Sequence, residues 1–323
     1  MRYSYNQRCD ARLSALGAGT WSMGGRNDYG LVYGSVRTRC ESVDALHALI
    51  EGGVNVIDTS PVYGVYGTSE SLVGQALEEV GRDGVFLVTK FGDYCDAKTG
   101  ARIIDNSRED ILKEIEGSLE RLNTSYIDLY LMHYPDPKVP VSETMQTLNE
   151  LKEQGRIRHI GVSNVTLEQL KECMEHAQID ALQVQYSMLQ RSAEPLLKWA
   201  HAQGLMTMTY GSLGGGMLSG AFRTLPSFSE KDVRYTFYPY FKEPLFSKIQ
   251  GLLDDMDVVV ARHDVPVSHV ALAWTAQKGF VTTALVGSGT VRSAKENCKA
   301  FELELTAEET RFLDESIERH LSA

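Results

Sequence analysis

Eight short apolar runs recur along the chain, and helical patterns separate them. The runs fall at 16–21, 54–58, 85–91, 127–133, 157–163, 181–186, 205–210 and 282–286. Between them lie segments with apolar residues on one helical face, at 42–52, 69–80, 141–154, 166–177 and 192–203. A further helix starts at Ser107 and carries the stripe Ile111, Ile115, Leu119 and Leu122. Asp110 stands three residues after Ser107, an approximate capping box. Strands that alternate with helices must run parallel, because each crossover returns the chain to the same edge. Eight such units predict a closed (β/α)8 barrel, the TIM barrel, and not an open sheet. Residues 1–16 alternate weakly and predict a short N-terminal hairpin. Helices at 244–263, 267–277, 293–301 and 307–320 complete the chain. No linker rich in Pro, Gly and Ser divides it, so one domain over 1–323 is expected.

A parallel barrel concentrates chemistry at the C-terminal ends of its strands. Four proton-active side chains lie there. Asp58 ends the second run, and Tyr63 follows it in a turn carrying Pro61 and Gly64. Lys90 stands near the end of the third run and His133 at the end of the fourth. Each alone has an ordinary explanation: Asp58 as a cap for the helix near Ser69, Tyr63 as a packing aromatic, His133 as a structural histidine. All four on one rim point to proton transfer. A free phenol has a pKa near ~10, and a nearby ammonium lowers it. The expectation is that Lys90 tunes Tyr63 while Asp58 keeps Lys90 charged. Such an acid, beside a histidine, suits protonation of a carbonyl oxygen that gains charge as a hydride reaches carbon. No side chain donates hydride, so a cofactor must.

Charge and cysteine usage narrow the classes. The net charge of −11 disfavours non-specific nucleic-acid or anionic-membrane binding. Five widely spaced cysteines without a Cys-x-x-Cys predict neither a disulfide framework nor a thiolate metal site, which fits a reducing cytoplasm. The start of the chain lacks the apolar stretch of a signal peptide, and no apolar run approaches ~20 residues. His159, His176 and His201 show no metal-ligand grouping, and no metal is expected. Cys95 has no base beside it to make it a nucleophile.

Several segments together resemble the aldo-keto reductase family over nearly the whole chain. They are 53–64, the Val-Thr-Lys ending at Lys90, 127–136 with its Met-His-Tyr-Pro-Asp, 155–164 ending in Gly-Val-Ser-Asn, 182–186, and Ala-Leu-Ala-Trp at 271–274. Within the family the likeness is to a bacterial branch of inositol- and sugar-related reductases and to potassium-channel β subunits. The resemblance implies a catalytic set of Asp58, Tyr63, Lys90 and His133, with Tyr63 as general acid. It implies that Ser163, Asn164 and Gln185 hold a nicotinamide carboxamide and that Tyr210 stacks on the ring. Gly19, Thr20 and Trp21 match the first cofactor and substrate-pocket segment. Gly211, Ser212 and Leu213 match the diphosphate segment, with Gly211 where the family usually has Ser. Gly287, Ser288, Gly289, Ser293, Glu296 and Asn297 match the adenosine-phosphate segment. There Gly289 stands in place of a frequent Arg or Lys, and Ser293 in place of Gln. A 2′-phosphate favours a bidentate Arg or a Lys, and Arg292 is the nearest replacement. The implied cofactor is NADPH/NADP+, with NADH the alternative, and the implied partner is a small-molecule carbonyl substrate.

Two other classes compete with a reductase: a nicotinamide-binding regulatory or sensor subunit with little turnover, and an isomerase or lyase using Lys90 as a Schiff base. The first has no need of Lys90 and Tyr63 together. The second needs a desolvated, uncharged lysine, which Asp58 opposes. The Gly-Gly-Gly at 214–216 lacks dinucleotide-fingerprint spacing and reads as a turn over the diphosphate. The aromatic run 235–241 predicts a packed loop or a pocket wall. Loops 22–38, 92–106 and 211–243 would choose the substrate, and their Tyr-rich polarity suggests hydroxylated molecules. Oligomeric state is not legible.

Overall fold

The computed structural model describes residues 1–26, 38–96, 99 and 101–321. Most of the expected pocket loop at 22–38, and part of the loop at 92–106, therefore lies outside the described residues. In chain order the elements are β1 (Tyr3–Asn6), β2 (Ala11–Ser14), β3 (Leu16–Gly19), α1 (Arg39–Glu51), β4 (Val56–Asp58), α2 (Thr68–Val80), β5 (Phe86–Phe91), β6 (Tyr94–Cys95), β7 (Arg102–Ile103) and α3 (Arg108–Arg121). There follow β8 (Ile127–Met132), α4 (Val141–Glu153), β9 (Ile157–Ser163), α5 (Leu167–His176), β10 (Ala181–Gln185), α6 (Glu194–Ala202) and β11 (Met206–Tyr210). The rest are α7 (Val233–Phe237), α8 (Leu245–His263), α9 (Val267–Ala276), β12 (Thr283–Gly287), α10 (Val291–Ala300) and α11 (Ala307–Leu321).

The eight long-range parallel strands close on themselves as β3-β4-β5-β8-β9-β10-β11-β12, and β12 pairs back to β3. This is the expected (β/α)8 barrel, with element ends shifted by at most three residues. The strand pleat sends alternate side chains to opposite faces. One set, including Val56, Val88, Leu129, Leu131, Met206, Met208 and Leu285, fills the barrel interior. The other set packs outward on the helices in the larger core. The interior is tight: a Cβ on Gly161 would lie 2.3 Å from Leu131 Cδ2. The expected hairpin forms from β1 and β2, paired antiparallel. Its Leu13, with Cys9 of the turn, joins the interior cluster and plugs the N-terminal end.

Sequence-local signals start the helices. Thr38 and Glu41 form a reciprocal capping box on α1, and Thr166 and Gln169 do so on α5. Ser107 caps α3 by accepting from Asp110 N. The insertion 211–243 is a packed element. Phe222, Phe228 and Phe241 meet edge to face, and Tyr238, Tyr240 and Phe241 are buried. Phe237 turns the other way and meets Trp21 at 5.4 Å between ring centroids. No helix among the described residues is long and apolar enough to cross a membrane.

Candidate active site

The pleat that fills the barrel also aims its rim. Val56 and Asp58 of β4 point inward, as do Val88 and Lys90 of β5. Asp58 pairs with Val88 across the β4–β5 ladder, one inward position below Lys90. Lys90 Nζ therefore reaches Asp58 Oδ1 at 2.8 Å and Oδ2 at 2.7 Å, and donates to the Thr59 carbonyl at 2.9 Å. Those contacts occupy all three ammonium hydrogens. Lys90 is wholly buried and Asp58 nearly so. Asp58 caps no helix; the residue before α2 is Gly67.

Gln183, inward-facing on β10, donates to Asp58 Oδ2 at 2.8 Å. The sequence reading missed this residue. A signal existed: Gln183 is polar, lies two positions before Gln185, and so shares its face of an apolar strand. Thr20 fixes the backbone of the same strand tip, since its N–H and its Oγ1 each donate to the Asp58 carbonyl at 3.0 Å. Ser69 at the start of α2 donates to Thr20 Oγ1 at 2.6 Å and accepts from Thr59 Oγ1 at 3.0 Å. Ser69 N–H also donates to the Tyr63 carbonyl at 3.0 Å, which closes the turn that presents Tyr63.

The Tyr63 ring has Lys90 Nζ at 4.9 Å from its centroid, the His133 ring at 6.1 Å and the Trp21 ring at 6.5 Å. The four residues expected to act together do meet at one rim. Their resting electrostatics differ from expectation. Burial, and then the Asp58 carboxylate, push the Tyr63 phenol well above its ordinary range. Burial also pulls the Lys90 pKa down, and Asp58 opposes that fall. Burial, with Lys90 and Arg102 adding to it, holds His133 well below the usual imidazole pKa, so the ring is neutral.

A second set adjoins the first. Asn164 takes a left-handed conformation, φ 57°, after β9. Its Nδ2 donates to the His133 carbonyl at 3.0 Å and lies 3.1 Å from Ser163 Oγ, and its Oδ1 accepts from Tyr210 OH at 2.9 Å. Gly211, φ 73°, lies against Gln185: a Cβ there would come within 3.3 Å of Gln185 Cγ. Ser163, Asn164, Gln185 and Tyr210 are thus one group beside His133. Ser212 is buried, and its hydroxyl donates to the Leu285 carbonyl at 3.1 Å, so it serves the barrel wall. Leu213 leads into the Gly-Gly-Gly turn, a 3-10 segment.

The third set surrounds the start of α10. Gly287 pairs with Gly19 where β12 meets β3, and a Cβ on Gly287 would lie 3.2 Å from Ser22 Oγ. Asn297 Nδ2 donates to Ser288 Oγ at 2.8 Å. Thr290 caps α10 reciprocally with Ser293, which spends the Ser293 hydroxyl. Gly289 is buried, Arg292 is exposed, and Glu296 pairs with Lys299 at 2.9 Å. Among the described residues no group of His, Cys, Asp and Glu could hold a metal ion.

The aldo/keto reductase family model matches residues 15–318. The NADH-specific methylglyoxal reductase of Escherichia coli is 30% identical over 323 residues, 96% of either chain. The structure of a glycerol dehydrogenase from Gluconobacter oxydans superposes with TM-score 0.89 and 31% identity, covering 99% of this chain and 96% of that one. An aldo-keto reductase from Klebsiella pneumoniae, solved in complex with NADPH, gives TM-score 0.73 and 27% identity over 98% and 95% of the two chains. The chain belongs to the aldo/keto reductase family and is an oxidoreductase.

Proposed function

We propose that this aldo/keto reductase converts aldehydes or ketones, above all hydroxylated ones, to alcohols with NADPH as reductant and NADH as the alternative. One observation carries the reading: Asp58, Lys90, Tyr63 and His133 converge on one rim of the barrel. The chain around them fits a nicotinamide dinucleotide. Gly211 and Gly287 leave open, beside Gln185 and Ser22, the space that a Cβ would fill. Ser163, Asn164 and Gln185 supply amide and hydroxyl partners for a carboxamide, and Tyr210 a ring to stack on it. Trp21 stands beside Tyr63, Gly19 beside Gly287, and Thr20 fixes the Asp58 backbone. Gly211, Ser212 and Leu213 would hold the diphosphate through backbone, since the Ser212 hydroxyl is committed to the barrel wall. Gly287, Ser288, Gly289, Ser293, Glu296 and Asn297 would hold the adenosine end, and the exposed Arg292 would supply the cation for a 2′-phosphate.

When bound, the reduced cofactor supplies the hydride for the carbonyl carbon. Tyr63 gives its phenolic proton to the carbonyl oxygen as that oxygen gains charge. The raised Tyr63 pKa keeps that proton in place until then. Lys90, 4.9 Å from the ring centroid, stabilises the phenolate left behind. Asp58 and Gln183 keep Lys90 at that distance. His133, being neutral, offers a hydrogen bond without competing as the acid. In reverse the same groups oxidise secondary alcohols.

The test is oxidation of NADPH and of NADH, measured separately over aromatic aldehydes, sugars, dicarbonyls and cyclic polyol ketones. Turnover should favour NADPH and fall by about 10²–10⁴ in Tyr63→Phe. NADH preference would reverse the cofactor assignment alone. Tight cofactor binding with no turnover on any carbonyl would overturn the reductase reading in favour of a sensor.

A further inference from the structure

The first turn of α9 touches two of the segments that the proposed cofactor needs. It begins at Val267 and packs against the end of the 3-10 segment Gly214–Ser219: a Cβ on Gly220, which closes that segment, would lie 2.6 Å from Val267 Cγ1. Two residues on, His269 faces α10, where its Nε2 stands 3.7 Å from Glu296 Oε2. His269 is 4% exposed, and its Nε2 is fully enclosed with no hydrogen-bond partner among the described residues. A separation of 3.7 Å is too long for a hydrogen bond. A buried polar nitrogen is therefore aimed at a carboxylate and left open. An apolar side chain would fill the same place without that cost.

Glu296 is tethered unequally. Its Oε1 accepts from Lys299 Nζ at 2.9 Å, but Lys299 lies three residues along the same helix and is mostly exposed, so the pair contributes little. Oε2 is the oxygen that faces the rigid, buried ring. A carboxylate offers acceptors only, and adenine presents an exocyclic amino donor. The neighbouring amide, Asn297 Nδ2, spends its hydrogens on Ser288 Oγ at 2.8 Å and the Gly287 carbonyl at 3.5 Å, so it has none for a base oxygen.

An imidazole nitrogen beside a carboxylate is attracted as N–H and repelled as a lone pair. We propose that His269 is a positioning residue whose Nε2–H aims the Glu296 carboxylate, so that Glu296 accepts from the adenine amino group and the chain tells an adenine dinucleotide from its hypoxanthine counterpart. Hypoxanthine has an oxygen where adenine has the amino group, and that oxygen meets the carboxylate as a second acceptor. The proposal rests on the placing of Glu296 at the adenosine end made above; it does not depend on which carbonyl is reduced.

Calorimetric titration of the full chain with ADP and with IDP tests it without turnover. ADP should bind about tenfold tighter than IDP, the worth of one hydrogen bond to a partly exposed charge. Glu296→Gln, whose amide donates as well as accepts, should bring the ratio close to one. His269→Phe keeps a buried ring without the nitrogen and should lower the ratio several-fold, with His269→Leu as the second variant should the first not fold. His269→Gln, which keeps an N–H donor, should restore most of the ratio. Equal affinity for ADP and IDP in the unaltered protein would overturn the reading of the amino group, and an unchanged ratio in His269→Phe would overturn the role of His269. In turnover, His269→Phe should raise the KM for NADPH and leave kcat in place; a loss confined to kcat would make His269 a packing residue and overturn the proposal. Failure of ADP and IDP alike to bind would strike the cofactor reading itself, and this inference with it.

Discussion

Removing the Lys90 ammonium probes the centre of the site directly. Lys90→Met keeps most of the buried stem and deletes three hydrogen bonds, two to the Asp58 carboxylate and one to the Thr59 carbonyl. Asp58, 2% exposed, then keeps, among the described residues, the 2.8 Å bond from Gln183 as its one carboxylate hydrogen bond. Breaking one side of a buried ion pair costs about 3–5 kcal/mol, because the remaining charge stays desolvated. At ~1.4 kcal/mol per decade that lowers the folding constant by roughly a hundred- to several-thousand-fold. Urea unfolding followed by circular dichroism should show a lower midpoint with an unchanged slope. The informative comparison is the double variant Asp58→Asn with Lys90→Met. Once the carboxylate is gone the missing cation matters less, so the double variant should be more stable than the sum of the singles predicts, by about 1–3 kcal/mol. Strict additivity, or a Lys90→Met protein as stable as the parent, would refute the claim that a desolvated pair organises the rim.

Two pH dependences follow from burial. The Tyr63 phenol sits well above its ordinary pKa, so it remains protonated through the neutral and mildly alkaline range. Carbonyl reduction at saturating cofactor should then hold steady between pH ~6 and ~9, and a decline with a neutral midpoint that survives in His133→Gln would sink that assignment. Burial pushes the Glu114 carboxyl up to about 8, although the Gly92 N–H donates to its Oε2 at 2.6 Å. A carboxyl whose folded pKa exceeds its unfolded pKa of ~4.3 adds stability at low pH and loses it as pH rises through the folded value. Stability should therefore fall between pH ~5 and ~9 relative to Glu114→Gln, in which that slope disappears; parallel urea-midpoint curves would exclude it.

The barrel was legible because each unit carries its own period. An apolar strand such as 157–163 and an amphipathic helix such as 166–177 announce themselves locally, and parallel closure follows from their alternation. The rim was legible for the same reason, since Asp58, Lys90 and His133 mark strand ends. What escaped depends on contacts between distant residues. Gln183 is an ordinary strand residue until the closed sheet sets it 2.8 Å from an aspartate 125 positions earlier. Asp93 and Arg102 read as loop polarity until β6 and β7 pair and lock them together. Ser212 shows the same limit: the motif left a diphosphate contact to its hydroxyl or to backbone, and the fold commits the hydroxyl to the Leu285 carbonyl because burial demands a partner.

The sign of the Tyr63 shift carries the deeper lesson. Sequence reasoning placed a cation near a phenol and inferred a lowered pKa, which treats Lys90 as a free charge. In the folded chain Lys90 has spent its three hydrogens on Asp58 and Thr59, and the Asp58 carboxylate adds to the rise of the phenol. Desolvation, which acts on Tyr63 whatever its neighbours, then dominates the resting state. A raised resting pKa does not disable the acid. In the proposed mechanism the proton would leave only as a basic oxygen develops in front of it, and Lys90 would act on the phenolate as it forms, through space, as a pre-oriented charge. On the proposed reading, an acid held protonated until the substrate acquires charge would be coupled to hydride arrival through that charge.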